Sequence, residues 1–477
     1  MQESTHAATE PRTTGASSDA TPDGPTGLPF VGSVRPFARD PLEFVTRTAR
    51  EYGPVSYYEL GTYSVYQLSD PDLVRHVLVD RNERYVKGDL FDRTLEPVLG
   101  RGLLTSEGSF WREHRHRLQP AFHPDQIADA AATMTTYASD VAAEWTDGEA
   151  RDVHADMMRL TVEVVADALF DADIRESEAD IGRALTVVMD VVSDRMGYPV
   201  EVPSWLPTRN NRRFRRAVET LRRVADEILA DHDRSADPDE GDVVSLLVDG
   251  QAGAVDDHAG SGASGNGVTG VHDGGLPREQ ARDEIVTILL AGHETTALAL
   301  TYAFHVLGRY PDVERRLGAE LDDVLGGRPP TVEDLGDLTY TERVVKESMR
   351  LYPPVWELVR EPVVNDVVGG YRIPTGETVS MHQWVLHRDP DLYDDPLAFR
   401  PDRWTEEMEA SLPPYAYFPF GGGPRRCIGD RFAMLEARLV LATIAQEWRF
   451  EPLDDLSFSP SITLRPDGPV EMVTHRR

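Results

Sequence analysis

At 477 residues and 40% hydrophobic composition, the chain can bury a large core, as one big domain or as two or three ordinary ones. Its formal net charge of −33, from 82 acidic against 49 basic side chains, argues against nucleic acid or anionic lipid as the main partner. No uninterrupted apolar run of about 18 residues occurs, and the N-terminus lacks the basic-then-apolar order of a secretion signal, so the expectation is a cytoplasmic protein with no transmembrane anchor.

In chain order, residues 1–27 read as a flexible, Pro/Gly/Ser/Thr-rich leader, and "GLPFVGS" opens the folded part. Residues 55–69 carry β-branched and aromatic residues on both sides of Gly61, the pattern of a hairpin. Residues 217–232 and 312–327 have helical periodicity, as does most of the remaining chain. The stretch from about 233 to 279 reads as a long polar loop; its Gly260, Gly262 and Gly265 match G-x-G-x-x-G by chance, since no strand precedes them and no helix opens from them. Segment 371–381 predicts a second hairpin turning at Pro-Thr-Gly, and "ITLRPDGPVEMV" a third.

Cys427 is the only cysteine, so there are no intramolecular disulfides and its thiol is free or bound to something. It lies in "FPFGGGPRRCIGD", just before a strongly helical segment that starts at Gly429. Glycines at 421–423 let the backbone turn tightly and approach a flat object. The helix dipole and the neighbouring guanidinium favour thiolate over thiol. Such a group serves as nucleophile or metal ligand. No histidine follows closely to act as a base, and the loop lacks the Gly-Lys-Ser/Thr ending of a phosphate cradle, so a thiolate ligand to iron is the economical reading.

Phe420, Gly423, Arg425, Cys427 and Gly429 resemble the heme-binding signature F-x-x-G-x-R-x-C-x-G of the cytochrome P-450 family. Four further motifs follow that family's order: "WREHR", "AGHETT", the Glu347/Arg350 pair of "KESMR", and "FRPDRW" with Arg403. The resemblance implies a mainly α fold with a smaller β-rich part over residues 28–477, and heme b between a long distal helix and the helix after the Cys loop. It also implies Cys427 as axial iron ligand. Trp111, Arg115, Arg360 and Arg425 are then expected near the heme propionates, Phe420 and Gly429 beside the ligand loop, and Ala291 and Gly292 as room above the iron. Glu294 and Thr295 resemble the acid and alcohol that deliver protons during oxygen activation. Glu347, Arg350 and Arg403 are expected to form a structural ion network.

The implied activity is insertion of one oxygen atom from O2 into a C–H bond of a hydrophobic molecule such as a fatty acid or terpenoid. Electrons would come from ferredoxin and ferredoxin reductase, with Arg112, Arg115, His116, Arg117, Arg425 and Arg426 forming a basic docking island. A peroxide-using enzyme and a heme-based sensor are the alternatives; the Glu-Thr pair disfavours both. "HETTA" is not a zinc motif, because Ala297 stands where a second histidine is required, and His114 and His116 diverge on a helix. The segments 90–104 and 459–464 are expected to line the substrate pocket.

Only Lys87 and Lys346 are lysine. An acidic, lysine-starved surface suits a cytoplasm of molar salt, such as that of a halophilic archaeon, where a Debye length of about 3 Å screens self-repulsion. The thermal midpoint is accordingly expected to rise between millimolar and molar KCl; equal midpoints would contradict salt adaptation.

Overall fold

In the computed structural model the described residues are 20–175, 178–197, 206–234, 242–248 and 275–477; the Gly260–Gly265 match and most of the leader lie outside them. The apolar stretch near Asp283 belongs to a 32-residue helix, Arg278–Arg309, that forms the axis of the fold. A helix apolar on all sides must be surrounded. This one is long and apolar enough to cross a membrane, yet 83% of its most apolar window is buried inside the protein. Helices Val153–Phe170, Arg209–His232, Thr339–Leu351 and Asp430–Glu447 pack around it. The fold is mainly α, with small β-sheets, as the sequence implies.

The largest sheet among the described residues has five strands in the order Val55–Leu60, Tyr63–Leu68, Thr378–His382, Glu357–Pro362, Tyr85–Val86. Its first two strands form the expected hairpin, with Gly61 at φ 64° in the turn. The other two predicted hairpins are corrected. Tyr371–Ile373 pairs with Asp366–Val368, while Thr378–His382 joins the five-stranded sheet, so Pro-Thr-Gly connects two sheets. At the C-terminal end, Leu464–Pro466 pairs backwards with Phe458–Pro460, and Glu471–Arg476 lies between Glu149–Asp152 and Trp448–Pro452. Turn residues mark where a chain reverses but do not choose its pairing partner.

Two further differences concern segment limits. The Tyr57 N–H donates to the Asp23 carbonyl at 3.1 Å, so defined contacts begin upstream of "GLPFVGS". Within the stretch read as a polar loop, Val243–Val248 is a short, largely buried helix, and the Leu276 N–H bonds the Leu247 carbonyl.

Glu347 is fully buried and fixes the segment that leads to the Cys loop. Both of its oxygens accept from Arg350, at 2.9 Å each. One oxygen also takes the Arg403 Nε–H and the Arg400 backbone N–H, and the other takes the Trp404 indole N–H, all at 2.9 Å. Arg350 spends its remaining donors on the carbonyls of His387, Pro396 and Ala398. Arg350→Ala is therefore expected to strand a buried carboxylate and to cost about 3–5 kcal/mol in denaturant unfolding; a loss below about 1 kcal/mol would show that the network is dispensable.

Candidate heme-thiolate site

Cys427 precedes the helix Asp430–Glu447, for which Gly429 is the N-cap. Its own N–H donates to the Phe420 carbonyl at 3.0 Å, closing the loop. Gly421 and Gly423 have φ of 71° and 65°, which a side chain would strain. The close approach they permit differs from the expected one. A Cβ at Gly423 would lie 1.9 Å from the Leu78 carbonyl oxygen, and one at Gly422 would lie 2.2 Å from the Tyr415 ring, so both glycines are fitted to neighbouring protein.

The sulfur is open to a cavity of about 590 Å³, lined in part by Arg115, Phe122, Phe420, Asp430 and Met434. The loop and helices still crowd it closely enough that burial pushes the thiol up, against the pull of the Gly429 N–H and of the Arg115 and Arg426 guanidiniums. The local field therefore does not by itself favour thiolate, which corrects the sequence expectation; a coordinated metal ion would deprotonate the sulfur outright. Arg115 donates to the Arg426 carbonyl at 2.7 Å and so stands on the cysteine side of the site.

A cluster of cations gathers beyond the loop. Lys87 is buried, with its ammonium on the Leu104 carbonyl, and its pKa is driven far down, first by burial and then by Arg425 and Arg360. Burial alone lowers Arg360 to about 10, and its Nη1 donates to the adjacent Val359 carbonyl at 2.8 Å. Arg425, also lowered to about 10 by burial, donates to the Ser106 carbonyl at 3.0 Å, pairs with Glu107 and lies 4.2 Å over the Trp111 ring. The two guanidiniums and the amine, whose protonated form burial and those guanidiniums oppose, call for more negative charge than Glu107 and the nearby Asp92 provide. Two propionates would meet that need, so the residues present fit a heme. Lys87 escaped the sequence reading of the site; its one signal was rarity.

The central helix completes the site. Ala291 is exposed and Gly292 and Thr295 are partly exposed, within a helix whose flanking turns are buried. Ala291 and Thr295, four apart, share one face and form a window in it. Thr295 Oγ1 donates to the Ala291 carbonyl at 2.9 Å, competing with the backbone ladder there. Gly292 serves a different purpose from the one expected: a Cβ there would press on Val165 at 3.0 Å, so it lets the helix Val153–Phe170 approach closely. Glu294, the residue before Thr295, is buried. Its Oε1 accepts from Thr463 Oγ1 at 2.7 Å and lies 3.4 Å from Arg465 Nε, two partners that local sequence could not reveal. His114, buried, bonds Glu284 of the central helix at 2.5 Å, while His116 is exposed, so they share no ion.

A lone cysteine before a helix, a buried cation cluster and a small-residue window in the axial helix define a heme-thiolate class of site. The Cytochrome P450 family model matches residues 22–469, and the chain belongs to that family. It is 38% identical over 458 residues to cyclooctatin synthase of Streptomyces melanosporofaciens, covering 95% of each chain. It is 36% identical to cyclooctat-9-en-7-ol 5-monooxygenase of the same organism, over 90% of this chain and 89% of that relative. It is also 31% identical to pentalenene oxygenase of Streptomyces avermitilis, over 94% and 93%. The protein is thus a heme-thiolate monooxygenase. Gly423→Ala is expected to displace the Cys loop, through its positive φ and the Leu78 contact, and to cut heme content of the purified protein severalfold; full heme content would refute the role given to that glycine.

Proposed function

We propose that this monooxygenase inserts one oxygen atom from O2 into a C–H bond of a hydrophobic, preferably cyclic terpenoid, substrate. The observation that carries the reading is the convergence of buried Lys87 with the half-buried Arg360 and Arg425 beside the loop that presents the only cysteine. In this reading residues 28–477 act as one catalytic domain that binds heme b. Cys427 is the axial iron ligand, with Phe420 and Gly429 shaping its loop. Lys87, Arg360 and Arg425 take the propionates, Trp111 backs Arg425, and Arg115 buttresses the cysteine side. The heme, when bound, supplies the redox chemistry that activates oxygen, assisted by electron density from the thiolate.

The chain's own residues govern substrate and protons. Ala291 keeps the window open and Thr295 presents a hydroxyl there. Glu294, raised by burial against the pull of Arg465 and Thr463, stores a proton one residue away. The terpenoid preference is supported by the mostly apolar segments 90–104 and 459–464 and by the names of the relatives.

Electrons arrive from outside, from ferredoxin and its NAD(P)H-linked reductase, at the face carrying Arg112, Arg115, His116, Arg117 and Arg426; Arg425, expected there as well, is instead turned inward to Ser106 and Glu107. The acidic partner suits that island within a chain of net charge −33. Salt adaptation, and with it a cytoplasmic place in a halophilic archaeon, draws support from both lysines being taken up in the fold: Lys87 is buried, and Lys346 bonds both oxygens of Glu409 at 2.9 Å.

The test is spectroscopic and kinetic. Reduced protein under carbon monoxide is expected to show a thiolate-type Soret band that Cys427→Ala abolishes, and NADH with a ferredoxin system is expected to drive turnover better than peroxide. A non-thiolate band in the wild type would end the reading, and faster peroxide-driven turnover would favour the peroxide-using alternative.

A further inference from the structure

Behind the helix window a line of side chains leads from Glu294 through Thr463 and Arg465 to Asp190, and the last three have no part in the chemistry proposed so far. Glu294 is 2% exposed, and among the described residues its Oε2 has no hydrogen-bond partner. Its Oε1 is held by Thr463 and approached by Arg465, both from the hairpin 458–466. Arg465 is itself 15% exposed and donates from Nη1 to Asp190 Oδ1 at 2.9 Å, and Asp190, on the helix Glu178–Gly197, is 52% exposed. The buried acid is therefore joined to the surface through one guanidinium that bonds an outer carboxylate and nears an inner one.

The other ionisable groups facing this line are few. His293 and His154 are each lowered to about 4 by burial, so they are neutral near pH 7, and Tyr302 is raised well above the usual phenol range by burial. Among the described residues, Arg465 is the one fixed positive charge beside Glu294, and Asp190 the one other carboxylate that acts on it.

From this geometry we infer that Thr463 and Arg465 are positioning residues that set the proton occupancy of Glu294, with Asp190 the outer station that draws Arg465 away. When Arg465 leans inward, the ionised carboxylate is favoured; when it leans toward Asp190, Glu294 keeps its proton and faces the interior with a free Oε2. The hairpin is also tied to the segment that leads into the strand Glu357–Pro362: the Trp356 indole donates to the Ser461 carbonyl at 2.6 Å, and the Leu464 N–H donates to the Pro354 carbonyl at 2.8 Å. A small shift of one short hairpin thus retunes the acid.

The inference rests on Glu294 as the proton store, and its signs are fixed by electrostatics. Thr463→Val and Arg465→Gln each remove a group that favours the ionised form, so both raise the titration midpoint of Glu294. Asp190→Asn removes a repelling anion and lowers it. The measurement is an infrared pH titration of the substrate-free holoenzyme, following the protonated-carboxyl stretching band that Glu294→Gln deletes. The two hairpin variants are expected to shift the midpoint up by about one pH unit, a tenfold change in the ionisation constant, and Asp190→Asn to shift it down. Asp190 is half exposed, so its variant tests the sign even where Arg465→Gln proves unstable. A common midpoint in wild type, Thr463→Val and Asp190→Asn, shifts in the same direction, or no band deleted by Glu294→Gln would each overturn the inference. The functional reading fails separately, if Glu294→Gln consumes NADH with the same fraction of oxygen reaching product as the wild type.

Discussion

One buried carboxylate organises the approach to the active centre. Glu347 accepts from two arginines, an indole and a backbone amide, and every donor apart from Arg350 lies in residues 400–404, far along the chain. A charge in the interior is costly unless each lone pair is answered, and here all are. The segment pinned in this way is then stitched to the ligand loop. The Phe418 N–H donates to His387 Nε2 at 3.0 Å, Gln383 Nε2 donates to the Phe418 carbonyl at 2.7 Å, and Tyr393 reaches the Ala416 carbonyl at 3.1 Å. The position of Cys427 is thereby inherited from an ion network remote from it in sequence.

The central helix works by contrast. Nearly all of it is sealed by neighbours, so the few positions left open, Ala291 and Thr295 above all, define a place where a small molecule and a flat cofactor could meet. The same helix directs Glu294 into the hairpin 458–466 and ties the 99–104 segment to its N-terminal half: the Arg101 N–H reaches Asp283 and the Leu103 N–H reaches Glu284, at 3.0 and 2.9 Å. Packing against one rod sets the distance relations that the chemistry needs.

The sequence made the local features readable and left the long-range ones hidden. Five motifs, each within a dozen residues, placed the ligand loop, the ion network and the helix window, because spacing on a helix or around a tight turn is a local property. Strand pairing was misread at 371–381 and 462–473, since a turn signal carries no information about which distant strand competes for the edge. The direction of the thiol shift was misjudged for a related reason: dipole and guanidinium are sequence neighbours, whereas the burial that outweighs them comes from the whole fold. Trp404, the last residue of "FRPDRW", joins the ion network through its indole N–H on Glu347, a bond that the motif alone did not disclose. Thr463 and Arg465 beside Glu294, some 170 positions apart in the chain, left no trace that a single sequence could show.

The placement of the two lysines has a practical side. With one amine buried among guanidiniums and the other clamped by Glu409 and Glu342, the folded exterior presents almost no free lysine amine. Acylating reagents, sugar aldehydes and enzymes that tag lysines would find little to attack, so the folded domain is shielded from a whole category of covalent wear that afflicts ordinary proteins.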